Sequence, residues 1–193
     1  EIGVDNCRRM ITLLDLYLDV SKLAAGRMQT EIEEVDLAQT LLRCVEEQAP
    51  LARERRIEFR VDAPAGLKVL ADVELLPRVL QNLINNALKF APEGGRVNLS
   101  AAVRGRDAVE LAVADTGPGI PPEELPRLFD RYHQSNARRE GRTKGTGLGL
   151  AFCRQAAETM HGSIRVESKL GGGSRFILRL PAPRASAPLL KIR

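Results

Sequence analysis

Asn82 and Asn86 lie four apart in the segment Asn82-Leu83-Ile84-Asn85-Asn86-Ala87-Leu88-Lys89-Phe90. On a helix that spacing puts both amides on one face, and a neutral amide oxygen is a hard ligand suited to Mg²⁺. Further on comes Asp115-Thr116-Gly117-Pro118-Gly119-Ile120. An ionised aspartate only accepts hydrogen bonds, so on a glycine-flanked turn it can take one from a purine amino group. A third segment, Gly145-Thr146-Gly147-Leu148-Gly149-Leu150, has closely approachable backbone running into a predicted helix N-terminus, the form of a phosphate cradle. Arg138, Arg139, Arg142 and Lys144 stand just ahead of it, where a phosphate ligand explains them better than a polynucleotide does. Together the three segments describe a nucleotide held at base, metal and phosphates.

These groups need elements to carry them. Alternation and punctuation predict strands over residues 57–61, 67–71, 97–103 and 108–114, the last two joined by the turn Arg104-Gly105-Arg106-Asp107. A further hairpin is expected over 163–168 and 175–180 through Gly171-Gly172-Gly173. Helices are expected over 38–53, from an N-cap at Asp72 to about Phe90, over a short stretch within 121–129, and over 148–160. Residues 135–144 are polar and basic and read as a mobile loop closing over the site. Ahead of all this, residues 8–23 carry a heptad-like seam of Met10, Leu13/Leu14, Tyr17 and Val20, with Gly26 able to end the helix. Such a stripe needs a partner; a bundle is expected, with residues 28–34 as a linker.

Composition limits the alternatives. The 193 residues are 44% hydrophobic with no Trp, enough for one domain and an appendage. No run approaches the roughly 18 apolar residues of a membrane helix, and no secretory signal is expected within these residues. Cys7, Cys44 and Cys153 are scattered, without metal-ligand spacing, which fits a reducing cytosol and argues against a disulfide framework. The net charge of +4 comes from basic residues mostly interleaved with acids, so no nucleic-acid partner is expected.

In this order, and with Leu128-Phe129-Asp130-Arg131-Tyr132 between the second and third, the segments resemble the N, G1 and G2 boxes of the histidine-kinase and gyrase-type ATPase superfamily. Residues 13–28 resemble the end of the second helix of a kinase dimerisation domain. The resemblance covers the chain from about Arg8 to Pro181. It implies an α/β, two-layer sandwich of a mixed sheet with helices on one face (the Bergerat-type fold), preceded by one long bundle helix. The implied domains are 1–27, the second dimerisation helix; 28–181, the ATP-binding catalytic domain; and 182–193, a tail or linker.

The implied cofactors are ATP and Mg²⁺. Asn86 becomes the metal ligand, Lys89 a charge on the phosphates, and Asp115 the partner of the adenine amino group, with Gly117 and Gly119 letting backbone approach the base and Ile120 beside them. Phe90 either packs on adenine or ribose or is core. Gly145, Thr146, Gly147 and Gly149 line the phosphates; Leu148 and Leu150 either join them or belong to the core. Ser174 supplies a hydroxyl near the adenine. Arg142 and Lys144 either neutralise the γ-phosphate or are solvated loop charges, Lys144 standing where the family often has Gly. Tyr132 replaces a commoner Phe. Asn85 is expected to point away.

Asn82 stands where the hydrolysing relatives carry a glutamate, and an amide cannot be a general base at neutral pH. A pocket that holds ATP without spending it on water is therefore expected. His133 precedes Gln134 and His161 precedes Gly162, so neither matches a phosphoacceptor histidine followed by an acid; that helix is expected outside this chain. The expected function is γ-phosphoryl transfer to that histidine in two-component signalling. Its partners would be the chain's own phosphoacceptor helix in a homodimer and a response-regulator receiver domain. The setting would be cytoplasmic, with membrane contact only through other parts of the parent protein. The competing readings are a gyrase- or chaperone-type ATPase and a non-catalytic nucleotide-binding dimer module.

Overall fold

The computed structural model describes residues 2–133 and 147–183, and for residues 2–9, 12 and 13 the backbone alone. Helix α1 spans Ile2–Ala24, strand β1 Ile32–Asp36, helix α2 Leu37–Glu54, and strands β2 and β3 Glu58–Asp62 and Lys68–Asp72. Helix α3 spans Leu75–Phe90, followed by β4 at Arg96–Arg104 and β5 at Ala108–Asp115. Helix α4, Gly149–Thr159, leads into β6 at Ser163–Ser168 and β7 at Ser174–Pro181. Within 121–129 the expected helix is only a 3₁₀ turn, Leu125–Arg127, because Pro121, Pro122 and Pro126 leave few donors for an α ladder.

Five strands form one mixed sheet in the order β2-β4-β5-β7-β6, parallel between β2 and β4 and antiparallel elsewhere. Alternation along the strands delivers Val97, Leu99 and Ala101, Val109, Leu111 and Val113, and Phe176, Leu178 and Leu180 to one buried face. Helices α2, α3 and α4 cover it. β1 and β3 pair with each other in a separate antiparallel ribbon.

Helix α3 has two faces. Leu76, Val79, Leu80, Leu83, Ile84, Ala87 and Leu88 are buried. Arg78, Asn82, Asn86 and Lys89 form a half-buried polar stripe beside them. Its start is tied down by Asp72, whose Oδ1 accepts from Glu74 N and Leu75 N, each at 2.9 Å. The other oxygen accepts from Glu31 N at 2.9 Å, so one buried carboxylate joins the segment after α1 to the helix carrying the asparagines. Arg55 holds the far end, donating to Leu88 O and, at 3.1 Å, to Ala91 O. A cation on the last carbonyls also suits the helix dipole.

Helix α1 divides its apolar residues between the domain and solvent. It ends as expected, with Gly26 at φ 63° and Arg27 N donating to Lys22 O at 2.9 Å. Yet Val20 and Leu23 are buried in the same cluster as the sheet, packed toward α4. Asp19 pairs with Arg78, whose guanidinium lies 4.8 Å from the Phe152 ring centroid. Met10, Ile11, Leu14, Tyr17 and Leu18 remain exposed. A heptad seam states that a partner exists, not which one, and here the last turns take the domain itself. The expected linker is shortened for the same reason: Met28 packs on the core, and residues 32–34 belong to β1. Cys44 and Cys153 are free and buried; burial pushes the Cys44 thiol up to about 11 and the Cys153 thiol further, so neither is a thiolate nucleophile.

Candidate functional site

Asp115 is the last residue of β5 and lies on the sheet's helix-covered face. Directly opposite residues on antiparallel strands share a face. Asp115 pairs with Ser174, and Ser174 with Ser168, so three polar residues cross β5, β7 and β6 where the apolar rows end. The Asp115 carboxylate accepts from Gly117 N at 2.8 Å and from the Ser174 backbone. Desolvation is the larger influence and raises its pKa; the two N–H bonds oppose it without cancelling it. An acceptor desolvated in this way gains from a ligand N–H.

The loop after Asp115 is packed closely against the rest of the chain. A Cβ on Gly117 would stand 2.6 Å from Asp115 Oδ1 and 2.9 Å from Phe90 O. One on Gly119, at φ 75°, would stand 2.0 Å from Lys169 O. Gly171 N donates to Pro118 O at 2.7 Å, and Ile120 N to Ser168 Oγ at 2.9 Å, clasping the loop in the β6–β7 turn. A side chain at either position is thus excluded by contacts within the chain. The Phe90 contact brings the end of α3 against this loop, with Lys89 Nζ 5.3 Å from the Phe90 ring centroid.

The other end is formed by α3 and α4. Asn82 Nδ2 donates to Arg78 O at 2.9 Å, while its Oδ1 lies where a Cβ on Gly149 would meet it at 2.8 Å. Asn86 is half-buried one turn on, and Asn85 is exposed. Helix α4 starts at Gly149 with Leu148 at its N-cap, an apolar side chain that makes no hydrogen bond to the first N–H groups. Leu148 is buried and Leu150 packs on the core. Gly147, at φ 73°, abuts Tyr132, whose N–H donates to Gly147 O at 3.1 Å. Tyr132 is 60% exposed at φ 61°. Arg142, Lys144, Gly145 and Thr146, and the loop 135–144, lie outside the described residues. His161, at φ 56°, closes α4 at a helix-to-strand corner, Gly162 N donating to Ala157 O at 2.8 Å.

The profile of the histidine kinase-, DNA gyrase B-, and HSP90-like ATPases matches residues 71–184, which contain the whole row from Asp115 to Ser168 and both asparagines. The chain belongs to this ATPase family. Among relatives it is 38% identical over 165 residues to the sensor-like histidine kinase SenX3 of Mycobacterium tuberculosis, covering 86% of this chain and 40% of that protein. It is 38% identical over 186 residues to the histidine protein kinase DivJ of Caulobacter vibrioides, covering 92% and 30%. The chain thus spans less than half the length of these curated relatives. Among solved structures, full-length ShkA in complex with AMPPNP superposes with a TM-score of 0.82 at 32% identity, over 94% of this chain and 37% of that one. The mycobacterial sensor histidine kinase MprB gives 0.69 at 31%, over 80% and 100%.

Within this ATP-binding fold the sequence reading missed several positioning residues. Asp72 was legible only as a helix cap, while its second oxygen is used across the chain. Arg78 has one sequence signal, its place four before Asn82. Arg55 carries none, since its contacts are distant in sequence, and Ser168 bonds within its own hairpin as well as to the distant Ile120.

Proposed function

We propose that this chain is the ATP-binding catalytic part of a sensor histidine kinase, with residues 1–27 contributing the second dimerisation helix, 28–181 the catalytic domain and 182–193 a tail. It holds Mg-ATP and passes the γ-phosphoryl to a histidine outside the chain, then onward to a receiver-domain aspartate. The observation that carries this is the buried Asp115 acceptor at one end of a surface whose other end is the amide stripe of α3 against the start of α4, where Asn82 meets Gly149. ShkA, whose structure holds AMPPNP, supports it by likeness.

In this reading Asp115 accepts from the adenine amino group and the N–H groups opening α4 meet phosphate oxygens. Asn86 suits Mg²⁺, which takes few protein ligands, and among the described residues no group of His, Cys, Asp and Glu could hold a metal alone. The ion would lower the charge on the triphosphate. Lys89 adds a point charge, with Arg142 and Lys144 assigned the same task. The histidine nitrogen forms the new P–N bond as the bond to the β-phosphate bridging oxygen breaks, and the chain's share is positioning and charge neutralisation. Asn82, committed to Arg78 O, offers water no base. The exposed apolar stripe of α1 fits a second copy in the parent homodimer.

Titration calorimetry tests the assignment. Asp115→Ala is expected to weaken ADP about 100-fold, the upper range for a hydrogen bond to a charged group. Unchanged ADP affinity overturns the adenine assignment. Incubated alone with γ-labelled ATP, the chain should neither hydrolyse it appreciably nor label His133 or His161; acid-labile phosphate on either histidine contradicts the reading.

A further inference from the structure

Ser168 sits at the end of the row Asp115–Ser174–Ser168, and its hydroxyl has three neighbours. Its Oγ lies 2.7 Å from Gly173 O, which can only accept, so Ser168 donates its one proton there. It accepts from Ile120 N at 2.9 Å. The Ser174 hydroxyl is 3.0 Å away. Since the Ser168 proton is already used, Ser174 must donate in that contact. Both lone pairs of Ser168 are then occupied, and Ser174 is left with lone pairs and no free proton. Ser174 is 8% exposed and faces the same side as Asp115, which is also an acceptor.

We propose that Ser168 is a positioning residue for base selection: by holding the Ser174 proton, it makes Ser174 an acceptor and tunes this end of the site to an exocyclic amino group and against an exocyclic oxo group. The inference rests on the proposed binding of a purine at Asp115. An amino base meets two acceptors with its two N–H groups. An oxo base places its own acceptor against both, and nothing in the row can donate to it. Removing the Ser168 hydroxyl releases the Ser174 proton, which can then turn toward an oxo group. Ile120 N loses its acceptor at the same time, so some weakening of every nucleotide accompanies the change. The diagnostic quantity is therefore the ratio of affinities.

The test measures Kd for ADP and for inosine diphosphate by calorimetry on the wild-type chain and on Ser168→Ala, Ser168→Thr, Ser174→Ala and Asp115→Ala. Ser168→Ala is expected to weaken both ligands but to shrink the preference for ADP about tenfold. Ser168→Thr, which keeps the hydroxyl, should restore the preference. Ser174→Ala removes the acceptor itself and should also shrink the preference, which keeps the proposal decidable should Ser168→Ala not fold. An unchanged ratio in Ser168→Ala, or in Ser174→Ala, overturns it, as does failure of Ser168→Thr to restore it. If Asp115→Ala leaves ADP binding and the ratio intact, the base is not read at this row, and the adenine assignment fails together with the role of Ser168. Loss of ADP binding in Asp115→Ala with an unchanged ratio in Ser168→Ala overturns the role of Ser168 alone.

Discussion

The loop after Asp115 and the segment entering α4 are both rich in glycine, but their glycines face different neighbours. At Gly119 the space a side chain would need is taken by the Lys169 main chain, 2.0 Å away. At Gly149 it is taken by the Asn82 side-chain amide, at 2.8 Å. The first is a backbone-to-backbone clasp with hydrogen bonds on both sides. The second is a glycine against a side chain that can move. The Asp115 end is therefore fixed by contacts within the chain, whereas the α4 end is adjustable, because the amide that fills the space at Gly149 can turn. Under the proposed function, such a division suits a site that recognises one constant group, the base, at the Asp115 end and tolerates a change of phosphate number at the other.

Gly119→Ala gives the largest expected effect. The added Cβ meets main chain at a distance no relaxation of a side chain can relieve, and φ 75° disfavours any L-residue. The loop has to leave the β6–β7 turn, with a cost of about 3 kcal/mol and loss of measurable ADP binding. Gly171→Ala is the control. It has φ 74° but open space around it, so the expected cost is about 1 kcal/mol. Urea denaturation of both, with calorimetry, checks the pair. Equal destabilisation would mean the clasp contributes nothing beyond the φ preference, and the contrast between the two ends would lose its basis.

That pair also shows what a sequence reading can reach. The strands and long helices were legible because their periods of alternation and turn residues are local properties of 57–61, 97–103 or 163–168. The glycines of the Asp115 loop were legible as glycines, and their position pointed to a site. The reason for them was not, because the atoms that exclude a side chain belong to Lys169 and Phe90, far away in sequence. The β1–β3 ribbon was invisible as a separate sheet for a related reason: five-residue strands announce extension, not which edge they join. Val20 was identified as apolar and in need of cover, yet nothing in a heptad distinguishes a second chain from α4. Ser168 looks like any serine at a hairpin end until its three partners are known.

Gly149→Ala probes the adjustable end and should be intermediate. Here the clash can be relieved by turning the Asn82 amide away, which sacrifices its bond to Arg78 O, about 1 kcal/mol. Stability should fall by about that amount. ADP and ATP should weaken together by about tenfold or less. A collapse like that expected of Gly119→Ala would show that this end is as rigid as the base end.

The smallest effect concerns protons at Asp115. Burial raises its pKa in the folded chain above the unfolded value. A group with a raised folded pKa stabilises the fold below its unfolded pKa, and that contribution is lost as pH rises through the folded one. At neutral pH the ionised carboxylate is therefore a modest cost to the free protein. A ligand amino group needs the ionised acceptor, so binding runs in the opposite direction. ADP affinity should rise as pH increases across the window just above the ordinary aspartate range, and the complex should titrate lower than the free chain. Asp115→Asn, which keeps an oxygen acceptor for Gly117 N but cannot ionise, should lose this pH dependence and be no less stable than wild type at neutral pH without ligand. Calorimetry at several pH values on both proteins reads the linkage directly. The same pH dependence in Asp115→Asn would assign the titration to another group, and the base end would then owe its selectivity to hydrogen-bond geometry alone.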